Sequence, residues 1–86
     1  MPTISYFYGI KITMNPNEHN PPHFHVKYAE FEAQIAIRDG AMLAGTLPVR
    51  VRALTEEWRL LNVEAILENW ELMLKSNPIK PIKGLD

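Results

Sequence analysis

Apolar and polar residues alternate through the first half of the chain and recur at helical spacing through the second. From residue 4 to 14, Ile4, Tyr6, Tyr8, Ile10, Ile12 and Met14 fall on one side of a period-two pattern. Ser5, Phe7, Gly9, Lys11 and Thr13 fall on the other. Alternation rich in aromatic and β-branched residues predicts one half-buried strand here. Phe7 is the lapse in the pattern. On the polar face it is a candidate support for nearby rings or a partner contact, although a lone exposed aromatic is ordinary.

Asn15-Pro16-Asn17-Glu18-His19-Asn20-Pro21-Pro22 predicts a loop, because its prolines remove backbone donors and forbid a ladder. Alternation resumes at His23 with Phe24, Val26 and Tyr28 apolar, then continues after Ala29-Glu30 as Phe31, Ala33, Ile35 and Ile37. A two-residue turn at Ala29-Glu30 sets Tyr28 opposite Phe31, Val26 opposite Ala33 and Phe24 opposite Ile35. Ala-Glu is a poor type I′ turn, so a longer turn of the same parity stays open. Asp39-Gly40 is a better turn, and a short fourth strand over about 41–43 follows, broken by Gly45 and Thr46.

Pro48 suits a helix start. Val51, Leu54, Trp58 and Leu61 then recur at helical spacing, with Arg52, Glu56 and Arg59 mostly elsewhere. Asn62 is placed to cap a second helix, with Glu64 in its first turn. Val63, Ile66, Leu67, Trp70, Met73 and Leu74 make that helix's apolar stripe, and Asn77-Pro78 ends it. The expected fold class is α+β, ordered β-β-β-(β)-α-α. A three- to four-stranded antiparallel sheet carries two C-terminal helices on one face. Residues 1–76 form the single domain, and 77–86 form an extended tail, mobile at its end.

Composition narrows the classes. The chain is 47% hydrophobic and 22% charged, an ordinary globular balance, and 86 residues make one domain with a small core. A formal net charge of −1 is unlike that of a strongly basic nucleic-acid binder. With no cysteine there is no disulfide framework or thiolate metal site, which fits a cytoplasmic location. The first residues lack a basic, apolar leader pattern, and no stretch is long enough to span a membrane.

The chemistry concentrates in His19-Asn20-Pro21-Pro22-His23-Phe24-His25. His23 and His25 stand two apart on a strand, so both rings leave the polar face. Together they are candidates for acid–base catalysis, or with His19 for zinc or another divalent transition metal. His19 joins them only if the loop folds back, since an extended path would separate it from His23 by about 12–13 Å. Glu18, Glu32 and Asp39 are possible added carboxylates. The candidate binding residues are His19, Asn20, His23, His25, Lys27 and Arg38. The blander reading, favoured for this motif, is a polar strand edge capped by a rigid loop, whose histidines are solvated or bonded to the loop, H-x-H alone being a weak metal signal. Ser5 and Thr13 are candidates to face the histidines. Trp58 and Trp70 fit core stripes. Arg50, Arg52 and Arg59 are possible phosphate contacts, yet Arg52 and Glu56 read better as a surface helix pair. There is no Gly-rich phosphate loop, no G-x-S-x-G, no H-E-x-x-H and no nucleophilic cysteine.

Met1-Pro2-Thr3-Ile4-Ser5 with Phe7-Tyr8-Gly9-Ile10, the block His19-Asn20-Pro21-Pro22-His23-Phe24-His25-Val26, and Glu68-Asn69-Trp70-Glu71-Leu72 resemble the bacterial family known as domain of unknown function 4160. The resemblance spans nearly the whole chain, and the histidine block is its most specific part. The family pattern often has Arg or Lys after the opening Ser. Tyr6 stands there instead, which weakens a phosphate or carboxylate role for that position. The resemblance implies a small bacterial protein encoded beside a second small protein, in pairs of toxin–antitoxin-like kind. It brings no activity, substrate or cofactor with it.

Three functions follow from these observations. The first, and the one favoured, is a non-enzymatic protein that binds a small protein encoded nearby, with no cofactor. A homodimer through the open sheet face would also suit so small a core. The second is a small enzyme or toxin acting on RNA, with His23 and His25 as acid and base and Lys27 or Arg38 on phosphate. The third is a metal-binding domain using His19, His23 and His25.

Overall fold

The computed structural model describes residues 2–15 and 19–85. The fold is α+β, with a five-stranded antiparallel meander and one long helix. The strands are β1 (Thr3–Phe7), β2 (Ile10–Thr13), β3 (His23–Tyr28), β4 (Phe31–Ala36) and β5 (Met42–Gly45), and each pairs with the next. The helix is α1 (Val49–Leu74). Two expectations are corrected: there are five strands rather than three or four, and one helix rather than two.

The extra strand comes from a hairpin inside the segment expected to be continuous. Tyr8 and Gly9 both take positive φ, 51° and 79°, the signs a two-residue type I′ turn requires. Gly9 adopts that conformation without steric cost. Phe7 then pairs with Ile10, and Ser5 with Ile12. A two-residue turn reverses the parity of the alternation, because residues 7 and 10 now share a face. Phe7 therefore points into the core, while Tyr6 and Tyr8 are 65% and 54% exposed. A bulge between Thr3 and Ser5 lets Ile4 and Ser5 both turn inward.

The β3–β4 hairpin has the expected register, with Tyr28 opposite Phe31, Val26 opposite Ala33 and Phe24 opposite Ile35. The turn is two residues long but not of type I′: Ala29 takes φ 51° and Glu30 does not take positive φ, so only the first position carries the left-handed conformation. At the next turn Asp39 accepts the Ala41 N–H through Oδ1 at 2.9 Å, and Gly40 has φ 75°.

Pro48 precedes the first turn of α1. Asn62 has non-helical dihedrals, φ −132° and ψ 18°, and bends the helix there. Its side-chain amide donates to the Trp58 carbonyl at 2.8 Å, inserting into the i→i−4 ladder. The bend thus falls at the residue expected to cap a separate helix. Leu61 and Leu74, expected in the apolar stripes, are exposed, because the buried side before the bend runs through Val51, Thr55, Trp58 and Arg59, and Leu74 is the last helical residue. Trp58 anchors the inner side, with its ring stacked on Phe7 at 5.7 Å and edge-on to Phe24 at 5.6 Å. Among the described residues no helix is long and apolar enough to cross a membrane.

Arg59 reverses its expected exposure and is 4% exposed. Its guanidinium donates to both Glu56 carboxylate oxygens and to the carbonyls of Ile37, at 2.9 Å, and Arg38, at 3.2 Å. It therefore ties the helix to the chain leaving β4. Glu56 pairs with Arg59 in place of the expected Arg52. The hydrogen bonds from Arg59 hold the Glu56 carboxyl below its ordinary value, outweighing partial burial, with smaller help from the Arg59 and Arg52 charges.

Candidate functional site

The histidine strand is built as the alternation requires. On β3, His23, His25 and Lys27 leave one side, facing Ala36, Gln34 and Glu32 across β4. The rings of His23 and His25 lie 5.4 Å apart. Their surroundings differ sharply.

His23 is 6% exposed. Its Nδ1 lies 2.9 Å from the Pro21 carbonyl, which only accepts, so Nδ1 carries the proton and donates. Its ring also lies 5.4 Å from that of Trp70 on α1. His23 thus joins the Pro-rich loop, the strand and the helix. The Asn20–Pro21 peptide within that loop is cis.

His25 is half-buried. The Asn15 side-chain amide donates to its Nε2 at 3.2 Å, which places the neutral ring's proton on Nδ1. His25 lines a groove of about 100 Å³ with Lys11, Thr13, Val26, Lys27, Glu32 and Ala33. Register explains this grouping, since β2 sets Lys11 opposite Lys27 and Thr13 opposite His25. The facing lysines repel. Glu32 offsets one of them by accepting from Lys27 Nζ at 2.9 Å. That hydrogen bond, then the Lys27 charge, lowers the Glu32 carboxyl from its ordinary value against a weak burial effect, with a smaller contribution from His25.

The structure therefore brings His23, His25 and Lys27 onto one strand face, and Thr13 joins them. His19 and Asn20 are exposed in the loop, and Arg38 is exposed beyond β4. None of these three lines the groove. Lys27 is engaged by Glu32, and Asp39 by its own turn. Ser5 and Phe7 turn into the core and do not face the histidines. Among the described residues no three His, Asp or Glu side chains form a group able to hold a metal ion. Glu18 lies outside those residues.

Three neighbours of the histidines were not foreseen. Lys11 enters beside Thr13 on the polar face of β2, Asn15 by following that strand, and Trp70 by the path of the bent helix. None carries a short-range sequence signal for its contact. The helix holds a further surface. Leu60 and Leu61 are 64% and 71% exposed, and they line an open hollow with Asn62, Val63, Glu64, Ala65 and Glu68.

Fold and site thus define a small α+β domain with a histidine-bearing sheet face and a bent, partly apolar helix. A family model described as Domain of unknown function (DUF4160) matches residues 9–71, and the chain belongs to that family. No curated protein matches the chain, and no solved structure matches it.

Proposed function

We propose that this chain works by binding another small protein, as one half of a two-protein, toxin–antitoxin-like regulatory module in a bacterial cytoplasm, and that it is not an enzyme. The observation that carries the reading is the adjacent exposed pair Leu60 and Leu61 at the helix bend. Scattered surface leucines need no explanation, but these two neighbours share one hollow with Val63 and Ala65, edged by Asn62, Glu64 and Glu68, an apolar centre with a polar rim. The packing of His23 supports the same reading. A side chain 6% exposed and bonded to the Pro21 carbonyl serves the scaffold and does not reach a substrate. Co-expression with the protein encoded beside it tests the proposal. The expected result is a stable complex on gel filtration that Leu60→Ser/Leu61→Ser disrupts and His25→Ala leaves intact. No complex with that protein, or a complex indifferent to the leucine changes, sinks it.

The groove at His25 favours a second reading, acid–base action on RNA. His25 is half-exposed there beside Lys11, Lys27 and Thr13, which offer cationic and hydroxyl groups to a phosphate. It requires RNA cleavage that His25→Ala abolishes. The zinc reading, on His19, His23 and His25, requires stoichiometric zinc uptake that the same variant loses.

A further inference from the structure

Residues 77–85 read Asn-Pro-Ile-Lys-Pro-Ile-Lys-Gly-Leu, with Pro-Ile-Lys twice in succession. Ile79, Ile82 and Leu85 pack against the core, while Pro78, Lys80, Pro81 and Lys83 between them are exposed. A half-buried apolar position at every third residue is the periodicity of a polyproline-type chain, which makes no hydrogen bonds of its own. Its backbone groups must find partners elsewhere.

They find them in two buried side chains of α1 and in the backbone of β1. Asn69 is 1% exposed. Its amide accepts from the Lys80 N–H at 2.7 Å and donates to the Lys80 carbonyl at 2.8 Å. The Ile82 N–H donates to the Ile4 carbonyl on β1 at 2.7 Å. The buried Trp58 indole donates to the Lys83 carbonyl at 3.1 Å. Gly84 passes so close to Phe7 that an added Cβ would sit 2.7 Å from the Phe7 Cβ. An ion pair of the tail, Lys80 with Glu68 at 3.0 Å, is solvent-exposed on both sides and adds little. Recognition thus rests on the main chain and on apolar residues spaced by three. These features, set between aromatic rings, are those by which grooves bind extended proline-containing peptides.

We infer that the seam between β1 and α1 is a peptide-binding groove for an extended, proline-containing segment with an apolar side chain at every third position. The chain's own residues 79–85 occupy it in cis, and a segment of a partner protein with the same spacing takes it in trans. Gly84 and Leu85 also line a hollow with Trp58, Leu61 and Asn62, so the groove opens onto the leucine patch. The groove stands on its own geometry, and only the identity of the incoming chain rests on the partner-binding reading.

The test uses the full-length chain carrying Ile79→Ser/Ile82→Ser/Leu85→Ser, whose tail can no longer seat, and a synthetic peptide of residues 77–85. The expected result is saturable binding that returns the Trp58 indole N–H resonance to its native position. A peptide with the same three serines binds at least about tenfold more weakly, since its apolar burial is lost. A folded variant that ignores the native peptide overturns the proposal. If the variant does not fold, hydrogen exchange on the unaltered chain decides. Lys80 and Ile82 amides that open well below the free energy of the β2–β3 amides support a displaceable occupant. Amides that open only with the whole molecule overturn it. Neither outcome touches the co-expression test, which reads Leu60 and Leu61.

Discussion

The outer face of β3 and the outer face of α1 at its bend carry opposite messages. The strand face holds the residues with the most reactive chemistry, yet His23 is packed among Pro21, His25 and Trp70 and acts as a fastener. The helix reads as scaffold, yet at residues 59–61 it buries an arginine and exposes two leucines. Side-chain chemistry says what a residue is able to do. Whether it is free to do so depends on which backbone groups and rings the fold sets beside it.

Substitutions sharpen this contrast. Arg59→Ala is expected to have the largest effect. It strips hydrogen bonds from the Ile37 and Arg38 carbonyls and leaves Glu56 without its partner, and breaking such a buried set costs about 3 kcal/mol. A shifted urea midpoint at unchanged slope would read it. His23→Ala is expected next, at about 2 kcal/mol, from a lost bond to Pro21 and a cavity against Trp70. A stability equal to that of the parent would return His23 to the list of free reactive groups and reverse the contrast.

A smaller effect appears in acid. Glu56 is held below its ordinary pKa of 4.5 when folded, so its contribution to stability is complete above that value. It fades as pH falls through the lowered folded value. Denaturation curves from pH 7 to 3 should show part of the acid loss missing in Glu56→Gln. The smallest effect belongs to Leu61→Ser, whose stability should stay within about 0.5 kcal/mol of the parent because the side chain touches mainly water.

What was legible in the sequence was local. The pairing of Phe24 with Ile35 and of Val26 with Ala33 follows from matching alternations on either side of a short turn. The common face of His23 and His25 follows from strand geometry, and the break at Asn62 from a side chain that competes for backbone bonds. The rest depended on events that leave little local trace. Tyr8 adopts positive φ although it is not a turn residue, so the hairpin hid inside a continuous alternation and Phe7 was placed on the wrong face. Leu61 lies off the buried side of the helix because that side takes in Thr55 and Arg59, polar residues the apolar spacing did not count. The burial of Arg59 depends on carbonyls more than twenty residues away in sequence. In the groove at His25, Thr13 and Lys11 keep the polar face the alternation assigned them, but the pairing of β2 with β3 that sets them opposite His25 and Lys27 spans the proline-rich connection and leaves no local signal.

The most direct test of the proposed helix-side partner surface is an amide chemical-shift map of the labelled chain titrated with the small protein proposed as its partner. The account predicts that the large shifts fall at Leu60, Leu61, Glu64 and the adjoining tail, with Lys11, His25 and Lys27 unmoved. Shifts concentrated at Lys11, His25 and Lys27 with a silent helix would contradict it and make the histidine groove the working face.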